Sequence, residues 1–223
     1  MPRYLLPLTM LALLTLGGCV NESDSDGGNS NKINGSIRVP DGEHTKTVTT
    51  VNGSIHISPN AVVEDAHTVN GSVAVGEHAG ADSVETVNGG ITLDPGAHVT
   101  RGVSTVNGAL HLMDAEVGGR LSNVNGAIDL KAAHVGGGIH TINGDIDVGS
   151  NSHVEGGILV EKPAPSLFNW GNRTPRIVIG PGAVVQGELR FERQVQLYVS
   201  DRATIGTVTG ASPIRFTGDR PPG

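Results

Sequence analysis

The sequence predicts an all-β chain folded as a single-stranded parallel β-solenoid with coils of about 18 residues. Three observations predict it. One heptapeptide recurs seven times: INGSIRV from 33, VNGSIHI from 51, VNGSVAV from 69, VNGGITL from 87, VNGALHL from 106, VNGAIDL from 124 and INGDIDV from 142. Its asparagines, Asn34, Asn52, Asn70, Asn88, Asn107, Asn125 and Asn143, are spaced 18, 18, 18, 19, 18 and 18 residues apart. A fixed short period of this kind marks stacked coils, none of which can bury its apolar face alone. The composition agrees: 33 glycines, 3% aromatic residues and an apolar complement dominated by Val, Ile, Leu and Ala describe small β-formers between glycine corners.

The chain opens with a segment of different character. Arg3 precedes an apolar run over 5–16 and then Leu16-Gly17-Gly18-Cys19, the order of a signal peptide with small residues before the cut. The run is too short to cross a bilayer core of roughly 30 Å as a helix. Leu-Gly-Gly-Cys at this distance from the start resembles the lipobox of bacterial lipoproteins, which implies a signal peptide over 1–18, lipidation of Cys19 and attachment to a membrane through that lipid. Val20 after the cysteine is what the lipoprotein sorting rule associates with the outer membrane if the cell is Gram-negative. Cys19 is the sole cysteine, so a disulfide framework and a multi-cysteine metal site are excluded. Residues 19–32 are polar and rich in Gly, Ser, Asn and Asp, and read as a flexible tether.

Seven Asn-Gly coils fill 33–160. Between the heptapeptides lies a second, weaker unit: Ala61-Val62-Val63, Ala97-His98-Val99, Ala115-Glu116-Val117, Ala133-His134-Val135 and Ser152-His153-Val154. The alanine follows its asparagine by nine residues in early coils and by eight after Asn107 and Asn125, and the next asparagine then arrives one residue later. Strands in register with corners absorbing length changes explain that compensation. Apolar positions six apart (Ile57, Val63, Val69) give a coil of three short sides. Alternation puts Val51, Gly53, Ile55 and Ile57 on the core face and Thr50, Asn52, Ser54 and His56 outside.

Residues 161–176 break the rhythm with three prolines and hold Leu167, Phe168 and Trp170, a cap for the rod or a partner contact. Variant coils resume over 177–210, and 211–223 reads as a tail.

Few residues carry chemistry. A formal charge of −7 and scattered basic residues argue against nucleic acid. No nucleophile stands beside a base, so the chain is expected to be non-enzymatic, with no catalytic residue and no cofactor. The asparagine column is expected to bond along the stack. Beside it, Lys32, Thr50, Thr68, Thr86, Thr105, Asn123 and Thr141 form a second column, and an outward Thr-x-Asn ladder would offer a face for ice or glycan. Asp129, Asp145 and Asp147 on adjacent coils form a possible cation patch, without the six to eight donors of a calcium site. His44, His98, His134 and His153 share a corner position, with only the last two on neighbouring coils, and read as surface histidines with no metal.

The run VIGPGAVVQGEL with later ATIGTV, over 178–208, resembles the coils of bactofilins, polymer-forming bacterial cytoskeletal proteins. The Val-Asn-Gly-x-Ile units look like those of adhesin-like solenoids of bacterial envelopes. The first resemblance implies self-association end to end through the terminal coils; the lipobox departs from it. Together they point to a lipid-anchored, non-enzymatic envelope rod for structure, assembly or adhesion, against the alternative of a solenoid binding a cation, glycan or ice.

Overall fold

In the computed structural model, residues 28–163 and 173–222 are described, and among them every regular element is a β-strand. All strand pairs are parallel, and the stack has about ten turns. At about 4.8 Å per turn the rod is roughly 45 Å long.

Each coil has three sides. The third side is the simplest: ten short strands, from Ile37–Val39 and Ile55–Ile57 to Gln196–Ser200 and Ile214–Phe216, form one sheet. Sides one and two begin as single long strands, His44–Asn52, Val62–Asn70, Gly80–Asn88 and His98–Asn107, bent at a corner. Beyond them the long strand divides, as into Glu116–Val117 and Arg120–Asn125. The cause is the nineteen-residue spacing. Ala81 pairs with Val99 but Ser83 pairs with Gly102, so an extra residue is bulged out at this corner. The following coils keep the longer corner and shorten the turn after the third side, so the ladders stay in register.

The core is a stack of inward columns. Side one supplies Val63, Ala81, Val99, Val117, Val135 and Val154; side two supplies Val48, Ala66, Val84, Val103, Leu121 and Ile139; side three supplies two per coil, as in Ile55 and Ile57, all buried.

One expectation is overturned here. The threonine column faces inward: Thr50, Thr68, Thr86, Thr105, Asn123 and Thr141 are each at most 4% exposed, while Val51 and Val69 are half-buried on the outside. Period-two alternation holds along side two, where Val48 and Thr50 both point in, but its phase resets at the Asn-Gly corner, where the chain turns and the next inward residue is Ile55.

The corners explain the glycines. A Cβ on Gly71 would sit 2.0 Å from the carbonyl oxygen of Gly53 below it, so the Asn-Gly corners stack backbone on backbone. The turn between sides three and one repeats a left-handed residue, Gly42, Asn60, His78, Gly96, Asp114, Ala132, Asn151 and Gly182, with φ between 46° and 74°.

The solenoid also exceeds its expected bounds. It starts with Ser30–Asn34, paired to His44–Asn52, inside the stretch read as tether. It ends with Ile214–Phe216, whose Phe216 is buried, inside the stretch read as tail. The 161–176 stretch lies in sequence between Ile158–Val160 on side two and Arg176–Ile179 on side three, where an eighth Asn-Gly would stand. Cys19, the 1–18 segment, Leu167, Phe168 and Trp170 lie outside the described residues.

Candidate functional site

The sequence-predicted residues fall on three outward regions of the rod: the Asn-Gly corner, the third side and the start of side one.

At the corner, six hydrogen bonds of 2.9–3.2 Å join the seven asparagines, each Nδ2 donating to the Oδ1 of the asparagine one coil earlier. Behind them, Thr50, Thr68, Thr86 and Thr105 donate from Oγ1 to the carbonyl oxygens of Gly35, Gly53, Gly71 and Gly89 at 2.9–3.0 Å. Asn123 does the same to Gly108 through Nδ2. Thr-x-Asn-Gly is thus one structural unit. The asparagine bonds outside, the glycine permits close stacking, and the buried threonine satisfies a corner carbonyl that the core would otherwise leave without a partner. An outward Thr/Asn face for ice or glycan does not exist, because the hydroxyls are consumed inside.

On the third side, stacking sets Asp129 opposite Asp147. The three carboxylates of the expected patch each have a basic neighbour. Asp129 Oδ2 lies 3.0 Å from His111 Nδ1. Asp145 pairs with the Arg173 guanidinium and accepts from the Arg176 backbone N–H at 2.9 Å. The Asp147 carboxyl is pushed above its ordinary value, first by desolvation where surrounding protein displaces water and second by the Asp129 charge, with Arg176 and Arg220 acting the other way.

At the start of side one, the outward column reads His98, Glu116, His134, His153, one per coil. Here the structure brings together more than the sequence reading did. Glu116, Glu155 and Gln186 join the histidines, and Glu155 reaches back a coil to His134. The signal lay in the register: a histidine in the same column of two consecutive coils, and a carboxylate two residues on whose upstream neighbour in the stack is Gly136. His44 stands apart, paired in register with Val62.

A residue missed altogether is Arg193. Register through Thr141, Val160 and Phe191 places it in the asparagine column two coils beyond Asn143. It donates to the side-chain oxygen of Asn143, to Ile142 O at 3.0 Å and to Arg173 O at 2.9 Å.

Compared with known protein families, curated proteins and solved structures, the chain has no match.

Proposed function

We propose that this chain is a non-enzymatic cell-envelope rod, anchored by lipid on Cys19, that acts by assembling end to end. The carrying observation is the condition of the two ends. Among the described residues, Ser30–Asn34 and Ile37–Val39 are paired on one side only, and so are Thr204–Ile205, Val208–Thr209 and Ile214–Phe216. Each end coil also exposes a large apolar residue, Ile33 and Ile214, both 49% exposed. Unpaired parallel edges flanked by apolar side chains are templates for further strands. The bactofilin-like motifs of 178–208 favour the same reading. The lipobox favours the envelope, the outer membrane in a Gram-negative cell.

Two measurements test it. Labelling with tritiated palmitate is expected to mark the chain and to fail with Cys19→Ser. Sedimentation velocity of the Cys19→Ser chain lacking 1–18, over a concentration series, is expected to show growth with concentration that Ile33→Lys with Ile214→Lys suppresses. A strict monomer at every concentration would overturn the assembly role.

A further inference from the structure

The outer surface of side one carries a cluster that the rod does not need. His134 and His153 are register partners on adjacent parallel strands, their ring centroids 5.5 Å apart and their planes at 70°. Glu155, two residues after His153, points out on the same side. In the preceding coil the matching position is Gly136, which has no side chain to block it. The Glu155 carboxylate therefore leans back, and its Oε1 comes to 3.0 Å from His134 Nε2. One ligand atom from each of the three residues lies within 4.8 Å of the others. Among the described residues, no other group of three His, Cys, Asp or Glu side chains meets this condition.

We propose that His134, His153 and Glu155 bind one divalent transition-metal ion of the zinc class. Two imidazoles and a carboxylate are a recurrent three-ligand set for such an ion. Ligand atoms sharing a tetrahedral zinc with bonds of about 2.0–2.2 Å lie roughly 3.3 Å apart. Small rotations of three partly exposed side chains therefore close the site without moving the backbone. The neighbours are also placed to serve it. Glu116 Oε1 lies 3.7 Å from His134 Nδ1, on the ring's far side, close enough that a small side-chain rotation would let it accept from Nδ1–H and leave Nε2 for the metal. Gln186 Nε2 lies 3.0 Å from His153 Nε2; with the amide turned so that its oxygen accepts from Nε2–H, Gln186 holds the tautomer that leaves Nδ1 of His153 for the metal. The imidazoles select against calcium and magnesium, which take oxygen ligands. The fourth position faces solvent, so water completes the set. The ion would clasp two consecutive coils, and the inference does not depend on the assembly role.

The test uses the full chain with Cys19→Ser, which removes a competing thiolate, purified in detergent without a histidine tag and stripped of metal. Calorimetric titration with zinc chloride is expected to give one equivalent. Cobalt chloride is expected to give the visible bands of a four-coordinate nitrogen/oxygen site. His134→Ala and His153→Ala should each weaken zinc binding at least tenfold, and Glu155→Gln, which keeps the side chain's shape, should do so with unchanged metal-free circular dichroism. His44→Ala should bind like the parent. No stoichiometric binding by the parent, or an unchanged affinity in the His153→Ala, Glu155→Gln double variant, would overturn the proposal.

Discussion

The Arg193 guanidinium donates to the side-chain oxygen of Asn143, the last asparagine of the corner ladder. Every amide in that ladder donates toward the N-terminal end, so the final Oδ1 is the one acceptor with no asparagine left to fill it. In the next coil the 161–176 stretch stands where the repeat would put an Asn-Gly, and Arg193 reaches Asn143 from the coil beyond. Its other two bonds, to Ile142 O and Arg173 O, pin Arg173 to the same spot. Arg193→Ala should lower stability by about 1.5–3 kcal/mol, the range for hydrogen bonds to a charged group. Arg193→Lys should not restore it, since an ammonium lacks the fork that reaches three acceptors. Urea unfolding midpoints check both.

The buried threonines offer a sharper test of the inward column. Thr86→Val keeps the shape but removes the donor to Gly71 O, and should cost about 1–3 kcal/mol because the carbonyl stays buried without that partner. Thr86→Ser should cost less. If Thr86 faced water, the valine would be nearly neutral, so the difference between these two variants reports the side chain's direction.

Ala132 sits in the left-handed turn with φ of 49°, between Asp114 and Asn151 in a column that holds glycine at 42, 96 and 182. An L-residue with a Cβ pays about 1–2 kcal/mol there, and glycine gives back part of that through its freer unfolded chain. Because Ala132 is exposed, no packing is lost. Ala132→Gly should raise stability by about 0.5–1 kcal/mol in chemical denaturation.

Asp147 gives a pH dependence with a definite sign. Its folded pKa lies above the ordinary 3.8, so the protonated form is favoured by folding and the ionised form is disfavoured. The stability it contributes is present below 3.8 and is lost as pH rises through the folded value. Asp147→Asn should therefore be more stable than the parent at neutral pH, and the two should converge as pH falls below the carboxylate range. Thermal unfolding across that range is the measurement.

How far the fold was legible follows from the same residues. The eighteen-residue spacing of Asn34 through Asn143 is enough for the coil, the parallel register and the amide ladder, because each is a property of the repeat itself. Thr50 was misplaced because alternation was carried through a corner, where backbone direction rather than period sets which side chain points in. Ile214–Phe216 was missed because Ser212 and Pro213 read as tail, although only three residues are needed to add a strand to an existing edge. Arg193 and Glu155 escaped for a different reason. Both act on a residue in another coil, across an insertion in one case and over a missing side chain in the other, and neither relation has a fixed offset in the chain.

The Thr-x-Asn-Gly unit has one more consequence. Because its bonds run only to the coil before and the coil after, a duplicated stretch of 18 residues would meet the same partners at both seams. Gaining or losing copies would change the reach of the molecule by about 4.8 Å each, with no other residue asked to adapt. Length here is a matter of copy number, open to unequal recombination in the gene, and a library of such duplicates would yield a graded molecular ruler.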